Sequence, residues 1–506
     1  MNLHTKILFG LIKKGVAKFK TTPAPEIPAP SAKANENLDY KRITYTNPNI
    51  IVPKADEDVP RRPFAARFII NANNSLSPFR DYCRKWDSLD SGQKAINDVF
   101  GTYLPKSKVD WNGHDPTGDR ALEWWAFSGF GAIELKALSE QEANQEKTGN
   151  QIPQYVSAYE FLSDFEVRAN LAPYGGNAYF DQDGKVIKIK LYGKDVFPNE
   201  GKDWAYAKFA YRTSSFVWTT IYHHLFKSHY NISNTPSIAT YTHLETDHPL
   251  RQFLKPFLFR TAAINNASCD TLLPKGSIIH RATGLTWDSM HEVYRTMLRA
   301  DKFTPYPEQL ELTGLGKHLQ NGGGQILDYT NDGLAFWKVV NAFISDVVEN
   351  SPAFNKVVKS DASKRWWEQV NVLAEEDLGG FGKSSLIAYL TEFLFTVSGY
   401  HSFVGHVSPF VKNPAIASGK LYPDLAMSDQ QTSEQISVVA SITGLEMPGL
   451  MGNFQHLMPD VNARECLIRF QNNLRALDGE INQRNAKRAI PLHAFVPDKM
   501  SLGVSI

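Results

Sequence analysis

WAYAKFAYRTSSFVWTTIYHHLFKSH, residues 204–229, is one unbroken helical run with neither Gly nor Pro inside it. Apolar and aromatic residues fall on all of its faces, so the helix it predicts is a buried one. His223, His224 and His229 then lie in an apolar interior, where a histidine must find a partner. A transition metal is one such partner and a backbone carbonyl is another. A second apolar run, SGYHSFVGH (398–406), supplies His401 and His406. On a regular α-helix, residues five apart are rotated by about 500°, well off one face. His224 and His229 have that spacing, as do His401 and His406. A π-bulge would realign them, so spacing alone makes neither pair a ligand pair.

Outward from this run, helical periodicity continues at 334–350, 383–406 and 461–485, and around Trp366 and Trp367. In the last of these runs Leu467, Phe470, Leu474, Leu477 and Ile481 form a helical stripe. Residues 80–150 read as helices joined by loops. DGKVIKIKLYG (183–193) opens on an Asp-Gly turn. Alternation of Ile187, Ile189 and Leu191 with Lys188 and Lys190 then predicts a half-buried strand paired with the region around Tyr179–Asp181. The expected fold is mainly α: one large helical domain over 61–506 around a long central helix, with a minor β element. No internal repeat and no β-rich block precede it. Gly322-Gly323-Gly324 is a loop, since no Lys-Ser/Thr follows to make a phosphate cradle.

Ahead of the body, TTPAPEIPAPSAKANEN (21–37) predicts an exposed Pro/Ala-rich linker within an extended segment, 21–60. In residues 1–20, Ile7, Leu8, Leu11, Ile12, Val16 and Phe19 recur at helical spacing among lysines. That is a basic amphipathic helix, able to lie on an anionic membrane or to dock on the body. A net charge of +1 offers nothing to nucleic acid. Aromatic residues make up 12% of the chain, which suits a large apolar interior. Cys83, Cys269 and Cys466 are far apart and form no disulfide framework, which favours a cytoplasmic setting.

The 204–229 run followed by THLETDHPLRQFLKPFLFRTAAINNAS (242–268) resembles the central helix of the lipoxygenase family and the segment after it. Trp204, Ala207, Lys208, His224, Leu225, Ser228 and His229 fall into register with the first family motif. His248, Pro249, Leu250, Leu254, Pro256, Thr261, Ile264 and Asn265 do so with the second. RWWEQV (365–370), LIAYLTEFLFTVSGYHSFV (386–404) and the closing FQNNLRALDGEINQRN…PLHAFVPDKMSLGVSI resemble later family segments.

The resemblance implies a mononuclear non-haem iron held by three His, an Asn or similar residue and a terminal carboxylate. Carried over, those five positions are Thr219, His224, His401, Gly405 and Ile506. Thr219 and Gly405 depart from the pattern. Two imidazoles and one carboxylate are enough to hold Fe(II) with open positions, so the expected set is His224, His401 and the Ile506 carboxylate. Thr219 would add a weak oxygen ligand or orient a water, and Gly405 would leave space for water, substrate or O2. His223, His229 and His406 are substitutes only if a helix shifts register. Phe257 and Phe259 stand where the family has His and Arg; Phe257, Leu225 and Ser268 are the expected pocket residues. The activity implied is that of a lipoxygenase-like dioxygenase using O2 on an apolar, for example polyunsaturated, lipid or lipid-like molecule. Two rivals stand beside it. One is an isomerase or cyclase on the same scaffold, with His224 or His401 as general acid or base. The other is a metal-free lipid-binding protein held at a membrane by residues 1–20.

Overall fold

The structure, a computed structural model, describes residues 26–31, 33–43, 50–53 and 109–504, apart from 277, 301, 321–325, 408–409, 411–414 and 425–447. The expected helix at 1–20, Cys83, the glycine triplet and Ile506 lie outside the described residues.

Strands β1 (Tyr40–Ile43) and β2 (Ile50–Pro53) pair antiparallel. They lie in the expected extended segment, 21–60; Val52 there is buried, and so is Ile27 in the run 21–37 that was expected to be exposed. Docking satisfies the backbone: Asn234 Nδ2 donates to the Ile51 carbonyl and Asn266 Nδ2 to that of Pro53. The minor β element is a five-stranded antiparallel sheet in sequential order: β3 (Leu135–Ala137), β4 (Tyr155–Ala158), β5 (Asn177–Phe180), β6 (Val186–Leu191) and β7 (Lys194–Val196). The expected hairpin is β5–β6. Asp181 Oδ1 accepts from the Asp183 and Lys185 N–H groups, and Gly184 supplies the positive φ of +74° that the turn requires. Ile187, Ile189 and Leu191 are buried as the alternation requires. Lys188, expected to face solvent, is buried as well, because Glu146 and Asp195 each take its ammonium at 2.9 Å.

The helices that frame the site are α1 (Asp119–Phe127), α2 (Lys202–Trp218), α3 (Asn234–His243), α4 (Thr261–Thr271), α5 (Tyr306–Leu312), α6 (Asp328–Asn350), α7 (Asp361–Ala374), α8 (Lys383–Phe395), α9 (His401–Gly405) and α10 (Val461–Asn485). Between α2 and α3 the chain does not stop. It continues as a π-helix over Thr219–Ser233, so one helical rod runs from Lys202 to His243. A second π segment, Thr396–Tyr400, joins α8 to α9. The rod is buried along nearly its whole length, as its all-round apolar character requires. Helix α6 packs against both α8 and α10. The Asp460 side chain caps the N-terminus of α10, accepting from the Ala463 N–H at 2.7 Å. Its stripe then stacks Phe470 on Phe343 of α6, ring centroids 4.3 Å apart. Helix α7 packs on α3, the last part of the rod, where the Trp366 indole N–H donates to Thr240 Oγ1 at 3.0 Å. Among the described residues no helix is long and apolar enough to cross a membrane.

Candidate metal centre

Hydrogen bonding from i to i+5 brings residues five apart close to one face of a helix. In the first π segment it puts Thr219, His224 and His229 along one stripe. His401, first residue of α9 after the second π segment, meets that stripe. The Nε2 atoms of His224, His229 and His401 converge with separations of 3.1, 3.2 and 3.3 Å. All three rings are buried, and the three form a set able to share one ion.

This arrangement fits a cation. Three imidazole nitrogens at one point can satisfy at most one another by a shared proton; otherwise their lone pairs repel. Burial, and then the neighbouring His229, hold the protonated forms of His224 and His401 well out of reach at neutral pH. Neutral imidazoles are the ligand form. His224, His229 and His401 are the residues that would hold such an ion, and imidazole nitrogens suit iron and other transition metals. Asn265 fixes one ligand. His229 Nδ1–H donates to Asn265 Oδ1 at 2.9 Å, and Asn265 Nδ2 donates back to the His229 carbonyl at 2.9 Å. This assignment of the ring proton leaves the Nε2 lone pair facing the cluster.

Gly405 borders the same point. A Cβ built on it would lie 3.1 Å from His224 Nε2 and 3.4 Å from His401 Nε2. Its lack of a side chain keeps that flank of the cluster clear. Thr219 is fully buried one π-turn before His224, and its Oγ1 has no hydrogen-bond partner among the described residues. His401 Nδ1 has none there either. His406 is held neutral by burial and gives its Nδ1 to the Ser402 carbonyl. Ile506 is outside the described residues. The chain leading to it is buried at Val504, with the Ser501 N–H donating to Ser402 Oγ beside His401 at 2.9 Å.

Of the expected pocket residues, Leu225, Phe257 and Ser268 are buried. Phe257 sits in aromatic contacts with Phe253 and Phe454, and Gly503 runs so close that a Cβ there would meet the Phe257 carbonyl. The Ser268 hydroxyl is taken by Tyr230 and the Asn265 carbonyl. A cavity of about 480 Å³ opens elsewhere, lined by Glu134, Tyr222, His223, Lys227, Tyr400 and Leu312 among others; Leu225, Phe257 and Ser268 do not border it. Its wall holds a hydrogen-bonded chain. The Tyr400 hydroxyl reaches His223 Nδ1 at 2.6 Å and His223 Nε2 reaches Glu134 Oε1 at 2.9 Å. Three side chains of this candidate site thus escaped the sequence reading in part or whole. His229 was visible but its spacing is wrong for an α-helix. Asn265 sat in a matched motif with no stated partner, and Glu134 carried no signal at all.

Residues 182–407 match the family model described as Lipoxygenase. The polyunsaturated fatty acid lipoxygenase ALOX15 of Sus scrofa is 24% identical over 331 residues, 60% of this chain and 49% of that protein. The linoleate 9/13-lipoxygenase of Pseudomonas aeruginosa is 24% identical over 344 residues, 60% of this chain and 48% of that protein. The chain therefore spans about half the length of these curated relatives. Among solved structures, coral 8R-lipoxygenase has a TM-score of 0.72 at 18% identity, covering 94% of this chain and 83% of that one. The manganese lipoxygenase of Gaeumannomyces graminis has a TM-score of 0.70 at 14% identity, covering 98% of each. The chain has the mainly α fold of a lipoxygenase catalytic domain. It resembles the lipoxygenase family in sequence across 182–407.

Proposed function

We propose that this protein is a lipoxygenase-type non-haem metal oxidoreductase that uses O2 on an apolar lipid or lipid-like substrate, polyunsaturated fatty acids being the first class to test. The observation that carries the proposal is the convergence of three buried imidazoles, His224, His229 and His401, on one point. Iron is the proposed metal, with manganese the alternative that the fungal structural neighbour suggests by name. The Ile506 carboxylate, a ligand by family resemblance, completes the proposed set. A bound redox metal would supply one-electron chemistry at the reacting carbon. The chain's own part is to hold three neutral imidazoles in a dry interior, to lock His229 through Asn265, and to keep the flank at Gly405 open to small molecules. The Thr219 hydroxyl, without a hydrogen-bond partner among the described residues, would orient a water or dioxygen. Elemental analysis of the purified full chain, with O2 uptake on linoleate and arachidonate, tests this. About one iron or manganese per chain with uptake supports it; metal-free protein, or no uptake across a lipid panel, overturns it.

One observation favours a second reading, a non-redox isomerase or cyclase. The Tyr400–His223–Glu134 chain on the wall of the 480 Å³ cavity has the order of groups that general acid–base catalysis uses. Turnover by metal-free protein would support it. The basic helix proposed for residues 1–20 gives a route to anionic membranes, tested by flotation of the chain with and without those residues on phosphatidylserine liposomes.

A further inference from the structure

His223 and Tyr400 each stand one residue before a member of the imidazole cluster, His224 and His401. They are bonded to each other across the same two π segments, the Tyr400 hydroxyl to His223 Nδ1 at 2.6 Å. The proton order is self-consistent. Tyr400 O–H donates to Nδ1, and His223 Nε2–H donates to Glu134 Oε1 at 2.9 Å. That oxygen also accepts the Trp218 indole N–H at 2.8 Å. The second π segment and the start of α9 thus meet the first π segment at two neighbouring places, the His223–Tyr400 hydrogen bond and the point where His224 faces His401. Glu134 anchors the first of these to a third element, the 3-10 turn Phe130–Glu134. That turn is itself fixed by Phe130, which lies against Phe216 of α2 and Phe403 of α9.

We infer that Glu134, His223 and Tyr400 form a strut that sets the separation of the two π segments, and so the size and affinity of the metal site; they are positioning residues acting through His224 and His401. The inference rests on the reading of the three imidazoles as metal ligands. The His224 and His401 nitrogens are 3.2 Å apart, and metal–nitrogen distances tolerate only about 0.2 Å of error. A relaxation of the helices by a few tenths of an ångström therefore registers directly in the site. A phenol and an imidazole bonded end to end are stiff enough to prevent it, having few rotatable bonds between backbone and contact. Outer partners that hold metal-binding side chains typically carry about 10–100-fold in affinity.

The test uses the full chain, stripped by chelator and titrated with Co²⁺ against a chromophoric competitor, with the d–d spectrum recorded. Tyr400→Phe removes one hydroxyl and keeps the ring. Glu134→Ala removes the anchor, and Glu134→Gln keeps an acceptor oxygen. Tyr400→Phe and Glu134→Ala are expected to weaken Co²⁺ binding about 10–100-fold and to shift the d–d bands. Glu134→Gln should stay within about threefold of the unchanged protein, since the hydrogen bond survives. Should Glu134→Ala fail to fold, Tyr400→Phe decides alone. Unchanged affinity and spectrum in Tyr400→Phe, even with a lowered melting temperature, overturn the strut while leaving the metal site standing. No Co²⁺ uptake by the unsubstituted protein overturns the metal site and the strut together.

Discussion

His229→Ala and Thr219→Ala together decide which turn of the π-helix binds metal. Family resemblance implies paired ligands at Thr219 and His224; the proposed set has them at His224 and His229, whose nitrogens converge with that of His401. A four-ligand site binds its ion with about 10–16 kcal/mol, or about 3 kcal/mol per ligand. His229→Ala should thus weaken metal binding at least about 100-fold. It also leaves the fully buried Asn265 carboxamide without its imidazole partner, which costs the fold about 1–3 kcal/mol. Thr219→Ala deletes a buried hydroxyl that has no hydrogen-bond partner among the described residues. No hydrogen bond is lost, and the small void costs about 1 kcal/mol, with metal affinity unchanged. The assay is competitive titration of apo-protein with Co²⁺, with circular dichroism to confirm folding. Intact binding in His229→Ala, with loss in Thr219→Ala, would refute the shifted ligand pair.

Asn265→Ala, which frees His229 to rotate, should lower metal affinity about 10–100-fold in the same titration. Gly405→Ala places a methyl 3.1 Å from His224 Nε2; the ring must yield by a few tenths of an ångström, and metal affinity and O2 uptake should each fall about tenfold. Burial raises the Glu392 carboxyl from 4.5 to about 7, partly opposed by the Tyr306 N–H and the Trp337 indole N–H. Because the folded value lies above the unfolded one, the folded state keeps this proton where the unfolded chain has lost it. Stability from this group is full below about pH 4.5 and falls by about 3 kcal/mol as pH rises to 7. Glu392→Gln should flatten the melting temperature across that window, and an unchanged pH profile would refute it.

The helices were legible because their periodicity is sustained: α6, α8 and α10 appear where the apolar stripes run. The β5–β6 hairpin was legible from its Asp-Gly turn. The outer strands β3 and β7 were not, being three residues each and half exposed, too short to show alternation. Lys188 was misplaced because its burial depends on Glu146, forty-two residues away. At the site, His224 and His401 were legible from motif register. His229 was set aside on α-helical geometry, which a π segment overrides. No local composition signals that override. The part played by Asn265 spans thirty-six residues, and that of Glu134 eighty-nine. Such pairings exist only once the chain is folded.

The fifteen-residue π segment has a consequence for how such a site evolves. Thr219, His224 and His229 are successive rungs on one ladder, so a histidine lost at one rung can be replaced at the next without moving the backbone. An α-helix offers a comparable ladder at a spacing of four, so what the π segment changes is the step, five residues in place of four. A single-residue deletion between His224 and His229 would leave them four apart, a spacing that an α-helix holds on one face without any π segment.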